Sequence, residues 1–212
     1  MTNLLLIGGG GHARDVFGLV EEINNVMPGS VTVSRILDDE WANADRFREC
    51  KVEFVRGIRD NLPSGQTFIV CVGYPEGRKE LCDLAISNHL VPHEALIHPR
   101  SNIGRTCKVG AGSVILGATS LAPNVVIGQH SYLGHGVLIG HDTVVGDNVS
   151  LMPGAIVSGD VSIGSNVLVG SGATILEKVV VGDGATIGAC SLVTRDVEAG
   201  TTVLGVPAKV RA

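Results

Sequence analysis

A six-residue hydrophobic period runs through the second half of the chain. Every sixth residue from position 97 is aliphatic, and Ser, Thr, Ala, Cys or Val follows four positions later in each repeat. An α-helix would require a period of 3.6 residues, so the pattern excludes helices and indicates a solenoid of short parallel strands. The aliphatic positions are Ile97, Ile103, Val109, Ile115, Leu121, Ile127, Leu133, Ile139, Val145, Leu151, Val157, Ile163, Val169, Ile175, Val181, Ile187 and Val193.

Each repeat is predicted to be a short strand followed by a corner. In one repeat, Val161 and Ile163 point to the same side of an extended strand, and residues 164–166 must then turn the chain. Three corners are the fewest that close a coil, and a triangular coil is narrow enough for aliphatic side chains to fill. The pattern therefore predicts a triangular prism with about 18 residues per coil.

Residues that tolerate a positive φ are concentrated at the last position of the corner. Gly, Asn or Asp occupies that position in eleven of the seventeen repeats, which predicts a left-handed backbone conformation there. These residues are Gly112, Asn124, Gly136, Asp142, Asn148, Gly154, Asp160, Asn166, Gly172, Gly184 and Asp196.

The first part of the chain alternates apolar strands with helical segments. Leu4–Ile7 is predicted as a buried strand, and apolar residues with helical spacing continue to Ile23. Val31–Leu37 and Thr67–Val72 are predicted as further strands, and a helix is expected over roughly residues 76–88. This order is typical of an α/β nucleotide-binding unit of the Rossmann-like type.

A glycine-rich turn and an acidic pair provide the candidate chemistry of this unit. Gly8-Gly9-Gly10-Gly11-His12 follows the first strand and opens the first helix, where backbone amides can approach a phosphate. Asp38 and Asp39 follow the second strand and are candidates for contacts with a ribose or a base. A plain tight turn is the alternative interpretation. Because about 92 residues cannot hold both halves of a dinucleotide fold, a nucleotide-linked sugar fits the space better than NAD.

Composition supports two domains and excludes several classes of function. Six of the seven aromatic residues precede residue 75, and we place the boundary between residues 1–93 and residues 94–212. With 44% hydrophobic and 17% charged residues the chain is not disordered, and no 18-residue apolar stretch predicts a membrane span. The net charge of −5, without a run of Lys or Arg, argues against nucleic acid or anionic membrane as partners. Five scattered cysteines predict reduced thiols in a cytoplasmic protein, without a metal framework.

The two parts together resemble one family, the bacterial hexapeptide-repeat acetyltransferases that acylate nucleotide-linked 4-amino-4,6-dideoxysugars, with relatives known as sialic acid O-acetyltransferases. The motifs that carry the resemblance are Ile7-Gly8-Gly9-Gly10-Gly11-His12-Ala13, Leu37-Asp38-Asp39, Val72-Gly73 with Arg78, Ile97-His98-Pro99, Ile139-Gly140-His141-Asp142 and Gly205-Val206-Pro207-Ala208-Lys209. The resemblance implies an α/β Rossmann-like nucleotide-binding domain followed by an all-β left-handed parallel β-helix. It also implies acetyl-CoA as co-substrate, and a homotrimer with sites between neighbouring prisms.

The resemblance assigns roles to individual residues. His141 is implied to be the general base, with Asp142 orienting its ring. Gly159 follows His141 by one 18-residue coil, so the two should stack, and the Gly159 amide is implied to bind the thioester carbonyl. Further contacts with acetyl-CoA are expected from Ser150, Gly154, Ala155 and Lys209. The nucleotide-linked sugar is expected to contact Gly8, Gly10, Gly11, His12, Asp38, Asp39, Gly73 and Arg78.

The expected activity is acetyl-CoA-dependent N-acetylation of a nucleotide-linked amino-dideoxysugar, by direct attack of the amine on the thioester. O-acetylation of a sugar hydroxyl is the first alternative. The second is a metal enzyme similar to gamma-type carbonic anhydrases, which share the prism and bind zinc through histidines. His130, His135 and His141 all fall at corners, which are expected to point outward. The third alternative is a nucleotide-binding or scaffold protein without chemistry. No metal is expected at the site.

Overall fold

An open parallel sheet flanked by helices forms the N-terminal part of the structure, a computed structural model that describes residues 2–211. Neighbouring strands pair in parallel in the order β3-β2-β1-β4-β5. This is the order of a doubly wound α/β sheet as far as its fifth strand, and it brings the turns after β1 and β4 side by side. The elements are β1 (Thr2–Ile7), α1 (Gly11–Val26), β2 (Val31–Asp38), a 3-10 helix (Trp41–Cys50), β3 (Glu53–Arg56), α2 (Ile58–Asn61), β4 (Thr67–Val70), α3 (Pro75–Ser87) and β5 (Val91–Pro92).

The strands and helices predicted for this part are present, with small changes at their ends. β1 begins at Thr2 rather than Leu4, and β4 ends at Val70 rather than Val72. The sequence does not predict β3, α2 or β5, because each spans only two to four residues and has no clear hydrophobic period.

The six-residue period folds into a three-sided prism of parallel sheets. Each strand pairs with the strand one coil away, as Leu138 does with Ile156, which confirms the coil of 18 residues. The arrangement fits the expected left-handed β-helix. One face comprises β6 (Leu96–Ile97), β9 (Val114–Ile115), β12 (Tyr132–Leu133), β15 (Ser150–Leu151), β18 (Leu168–Val169) and β21 (Thr186–Ile187). The second comprises β7 (Asn102–Ile103), β10 (Ser120–Leu121), β13 (Leu138–Ile139), β16 (Ile156–Val157), β19 (Thr174–Ile175) and β22 (Leu192–Val193). The third comprises β8 (Lys108–Val109), β11 (Val126–Ile127), β14 (Val144–Val145), β17 (Ser162–Ile163) and β20 (Val180–Val181).

The second residue of each strand points into the prism and the first points outward. The inward residues from Ile115 to Val193 form one buried aliphatic cluster without an aromatic member, as the period predicts. The expected positive φ is found at every predicted corner residue except Asp196, and also at Ala118, His130, Lys178 and Cys190. The short repeat thus encodes both the core and the corners of the prism.

The N-terminal part packs on the face that contains β6, which we call the docked face. Its outward residues Val114, Tyr132 and Ser150 are buried, and Val114 and Tyr132 belong to one cluster with Leu4 and Leu6 of β1. The second and third faces lack this cover, and their outward residues Leu138 and Val144 are exposed. The corner between those two faces therefore lies across the prism from the N-terminal part; we call it the opposite corner.

A C-terminal hairpin extends the docked face beyond the last coil. β23 (Thr202–Gly205) pairs in parallel with β21, and β24 (Ala208–Val210) pairs with β23 in antiparallel orientation. Val203 is buried against the end of the aliphatic core, whereas Val206 and Val210 are exposed. Within residues 2–211, none of the helices combines the length and the apolar character that crossing a membrane requires.

Candidate active site

The glycine-rich turn after β1 is tightly folded against its neighbours. Gly8 has a φ of +98° and its N–H donates to the Leu37 carbonyl oxygen at 2.7 Å. The Gly9 N–H donates to Asp38 Oδ2. A Cβ atom at Gly9 would lie 2.8 Å from the Phe54 ring, so only glycine fits without displacing that ring.

The two aspartates at the end of β2 support the surrounding loops. Asp38 is buried, and its Oδ1 accepts hydrogen bonds from the Glu40 N–H at 2.6 Å and from Asn43 Nδ2 at 3.3 Å. Asp39 Oδ1 accepts the Ile58 N–H at 2.9 Å. Their carboxylate oxygens therefore accept several hydrogen bonds from the chain itself. These bonds hold the loops that border the cavity, where the sequence predicted that both aspartates contact the ligand.

A cavity of about 350 Å³ lies at the carboxyl edge of the sheet. It brings together seven of the eight residues expected to contact the nucleotide-linked sugar: Gly8, Gly10, Gly11, His12, Asp38, Asp39 and Gly73. α1 begins at this cavity, without a side-chain cap and without an acidic residue in its first turn. Its first N–H groups and the positive end of its dipole therefore favour an anionic group at this place.

His12 lines the inner side of the cavity, at the start of α1. Its ring lies against Tyr132 of the docked face, with 4.0 Å between the ring centroids. Burial and the nearby charge of Arg78 lower the pKa of His12 to about 3, against a smaller opposing effect of the Val72 carbonyl. His12 is therefore neutral at physiological pH.

Arg78, the eighth residue expected to contact the nucleotide-linked sugar, does not line the cavity. Its side chain is buried at the junction of the two parts, where its Nη1 donates to the carbonyl oxygens of Val72 and Gly73 at 2.9 and 3.2 Å. Towards the prism it donates to the His130 carbonyl oxygen at 2.7 Å, Asn148 Oδ1 at 3.0 Å and Ser150 Oγ at 2.9 Å. Burial lowers the pKa of Arg78 to about 10, so the guanidinium keeps its charge.

The buried His12 makes stability dependent on pH. Between pH 6.5 and about 3 the unfolded chain binds a proton at His12 that the folded chain does not, so the free energy of unfolding should fall as the pH falls. From pH 7 to pH 5 the loss attributable to His12 is expected to reach at most about 2 kcal/mol. Urea denaturation at the two pH values measures it. His12→Gln should remove this part of the loss, and His135→Gln, at an exposed position, should leave it unchanged. Equal losses in wild type and His12→Gln would contradict the assignment.

His141 lies at the opposite corner, between β13 and β14, where 67% of its side chain is exposed. Its Nδ1 is 2.8 Å from Asp142 Oδ2. Asp142 Oδ1 in turn accepts a hydrogen bond from Asn124 Nδ2 at 2.8 Å, one coil away. Hydrogen bonds from Asn124 and His141 hold the pKa of the Asp142 carboxyl below its usual value. This chain of contacts orients the imidazole and leaves Nε2 for another group.

Gly159 lies directly beside the His141 ring, as the 18-residue coil predicts. A Cβ atom at position 159 would lie 2.8 Å from His141 Nε2, so a side chain there would displace the imidazole. Among the described residues the Gly159 N–H has no acceptor, whereas the corresponding N–H groups of Gln129 and Ser165 at another corner donate to Asp147 and Asp183. The opposite corner thus combines an oriented imidazole with an available backbone donor.

The remaining residues expected at the acetyl-CoA site are dispersed. Gly154 lies at the corner between the docked and second faces, and Lys209 lies in the exposed hairpin. Ala155 is fully buried in the prism core, with its N–H and carbonyl both hydrogen-bonded, so it cannot line a groove. Ser150 is also fully buried, and its Oγ donates to the Gly73 carbonyl oxygen at 2.6 Å. The structure therefore does not bring Ala155 and Ser150 together with His141 and Gly159.

His130 is buried, contrary to the expectation that all corner histidines point outward. Its corner borders the docked face, so the N-terminal part covers it and the ring stacks on Phe68 at 5.9 Å. Burial lowers its pKa. His135 and His141, at the two other corners, are exposed. Among residues 2–211 no group of three His, Cys, Asp or Glu side chains is arranged to hold a metal ion.

Comparison with known proteins identifies the repeat. Residues 142–177 and 160–195 match the bacterial transferase hexapeptide family, which is defined by six repeats. The match identifies residues 142–195 as hexapeptide repeats. The comparison with curated proteins gave no match.

Solved structures resemble the chain over its whole length. The acetyltransferase domain of PglB from Neisseria gonorrhoeae is 26% identical, with a TM-score of 0.85 and coverage of 100% of both chains. The same domain in complex with acetyl coenzyme A is 26% identical, with a TM-score of 0.84, covering 99% of this chain and 98% of that chain. A variant of perosamine N-acetyltransferase from Caulobacter crescentus, in complex with CoA and GDP-perosamine, is 25% identical, with a TM-score of 0.84, covering 100% of this chain and 98% of the other. The family resemblance drawn from the sequence is confirmed.

Asn124 and Asn148 are two predicted corner residues whose contacts at the site were not expected from the sequence. Asn124 precedes Asp142 by 18 residues, so the coil period alone could have placed them together. Asn148 Nδ2 donates to the Pro75 carbonyl oxygen at 2.6 Å, across the junction of the two parts. No local pattern reveals that contact, because the partners are 73 residues apart.

Proposed function

We propose that this protein transfers the acetyl group of acetyl-CoA to the amino group of a nucleotide-linked amino-dideoxysugar. The enzyme class, an acetyl-CoA-dependent sugar acetyltransferase, follows from the hexapeptide family and from neighbours solved with CoA or acetyl coenzyme A. The observation that carries the reaction type is the arrangement of His141, Asp142 and Gly159 at the opposite corner. O-acetylation of a hydroxyl uses the same groups and is the alternative that the assay must separate.

In the proposed reaction His141 acts as general base. The sugar nitrogen attacks the thioester carbonyl carbon while its proton passes to His141 Nε2, and Asp142 stabilises the resulting imidazolium through Nδ1. The negative charge on the thioester oxygen is received by the Gly159 N–H. The carbon–sulfur bond then breaks, and the CoA thiolate takes up the proton held on His141 Nε2, which releases the free thiol and restores the neutral imidazole.

The cavity at the glycine-rich turn is proposed to hold the nucleotide end of the acceptor. Its open helix N-terminus at Gly10 and Gly11 suits the diphosphate, and the loop around Asp38 and Asp39 borders the space for the nucleoside. The sugar is then expected to lie beside Gly73. The GDP-perosamine bound to the Caulobacter neighbour is a ligand of this chemical type.

The cavity and the proposed base cannot meet within one chain. The cavity belongs to the part that packs on the docked face, whereas His141 lies at the corner across the prism, with the aliphatic core between them. A complete site therefore requires His141 from a second copy. The exposed Leu138 and Ile156 on the second face and Val144 and Val180 on the third face provide apolar surfaces for that contact. We propose a homotrimer, in which each copy contributes its nucleotide cavity to one site and its His141 to a neighbouring site.

The direct test is an acetyl-transfer assay with purified protein, acetyl-CoA and a panel of nucleotide-linked sugars. We expect release of free CoA thiol with 4-amino-4,6-dideoxysugars and not with the matched 4-hydroxy sugars. Thermal-shift measurements with the same panel should show stabilisation by the accepted nucleotide. Turnover of the hydroxy sugars instead would establish O-acetylation, and binding without turnover of any acceptor would favour a nucleotide-binding protein without chemistry.

A further inference from the structure

One carbonyl oxygen of the cavity wall accepts hydrogen bonds from the N-terminal part and from the prism. Gly73, which lines the nucleotide cavity, accepts hydrogen bonds from Ser150 Oγ at 2.6 Å and from Arg78 Nη1 at 3.2 Å. Ser150 belongs to β15 of the prism, whereas Arg78 belongs to α3. Two residues after Gly73, the Pro75 carbonyl oxygen accepts Asn148 Nδ2 at 2.6 Å. The turn between β4 and α3 is therefore hydrogen-bonded to the prism at Gly73, and the first residue of α3 is bonded to it at Pro75.

The partners of Arg78 argue against a role in stability alone. They are carbonyl oxygens, an amide oxygen and a hydroxyl, and no carboxylate among the described residues is bonded to the guanidinium. Its Nη2 has no hydrogen-bond partner there either. Burying a charge without a counter-ion is costly, so filling the space at this junction does not by itself account for an arginine. What the guanidinium supplies instead is a rigid, directional link between the cavity wall and the prism.

We propose that Arg78, Asn148 and Ser150 are positioning residues, which fix the Gly73 wall of the cavity relative to the prism and thereby place the acceptor amine for reaction. This inference rests on the proposed function. The prism carries the surfaces that contact the next copy, so a wall tied to the prism is also held in register with the His141 that the next copy supplies. Misplacement of reacting groups by about 1 Å costs on the order of 100-fold in rate.

Ser150→Ala and Ser113→Ala form a matched pair of variants for the test. Both hydroxyls are fully buried, but Ser113 Oγ donates to the Gly128 carbonyl oxygen at 2.8 Å and so makes its bonds within the prism. We expect similar losses of thermal stability in both variants. Only Ser150→Ala should lower kcat/KM for the nucleotide-linked sugar, by roughly 10- to 100-fold, without changing KM for acetyl-CoA. Arg78→Lys, which keeps the charge and loses the fork, should lower the same parameter.

Three results would overturn parts of this scheme in distinguishable ways. If Ser150→Ala and Ser113→Ala have equal kcat/KM and the wild type is active, the positioning role is contradicted and the proposed function is not affected. If Ser150→Ala raises only the KM for acetyl-CoA, Ser150 is not a positioning residue for the sugar and instead contacts acetyl-CoA, as the sequence predicted. A wild type that acetylates no acceptor would contradict the proposed function itself, and the inference with it.

Discussion

His141→Ala should lower kcat by roughly 10²- to 10⁴-fold, the usual contribution of a general base. The ring is mostly exposed, so its loss opens no cavity in the aliphatic core, and the free energy of unfolding should change by less than about 1 kcal/mol. Affinity for acetyl-CoA should persist, because Gly159 is unchanged. The residual rate should rise with pH, since the amine then loses its proton without help. Steady-state kinetics over a range of pH, with a thermal melt as the check on folding, provide the measurement.

His135→Ala is the matched control for this experiment. His135 is also an exposed corner histidine, but it lies at the corner next to the docked face and the resemblance assigns it no role. We expect nearly normal kcat for His135→Ala. If that variant is inactive while His141→Ala keeps near-normal turnover, the assignment of the base is wrong. If both variants are inactive and both lack a metal that the wild type binds, the result supports the metal-enzyme alternative.

Mixing two inactive variants should restore activity if each site is shared between copies. His141→Ala keeps the nucleotide cavity and lacks the base. Gly10→Asp keeps the base and places a carboxylate where the phosphate would bind; a Cβ at Gly10 meets no atom within 4 Å, and Asp is a favourable helix N-cap, so the variant should fold. In randomly mixed trimers at equal amounts, about one site in four combines an intact cavity with an intact base. Co-expressed, co-purified mixtures should therefore reach roughly a quarter of wild-type activity, whereas each variant alone stays close to zero.

Two controls make the result of mixing decisive. Gly10→Asn adds a side chain of nearly the same size without the charge, so it should bind the acceptor better than Gly10→Asp does. Co-expression of two copies of His141→Ala under the same conditions should not restore acetyl-transfer activity. Activity that stays at the level of the separate variants, in mixtures proven to contain both chains, would show that cavity and base act within one chain.

Local periodicity was sufficient for the prism and for one pair of site residues. The six-residue period predicted the coil length, the aliphatic core and the stacking of Gly159 on His141, because each follows from spacing along the chain. The period carries no information on which face the N-terminal part covers. Outward positions on the docked face include Ser150 as well as Val114, and those on the uncovered second face include Ser120 as well as Leu138.

The differences between the expected and the observed placements of His130, Ser150 and Arg78 all originate at that docked face. Contacts between residues that are 52 to 77 positions apart in the sequence determine these placements. They bury His130, enclose Arg78 and give Ser150 its hydrogen bonds inside the chain. Motif matching identified these residues as notable but could not separate a ligand contact from a contact between two parts of the chain. Asp38 is a milder case, because it borders the expected cavity while using its oxygens to hold the turn beside it.

The separation of the cavity from the opposite corner links catalysis to association. If neither half of the site is complete in one copy, turnover per chain must fall when the protein is diluted below the dissociation constant of the assembly. By the same linkage, a substrate that contacts two copies at once binds the assembled form preferentially and must strengthen the association. The nucleotide-linked sugar is then an assembly ligand as well as an acceptor, and its cellular level would set how much of the enzyme exists in its working form.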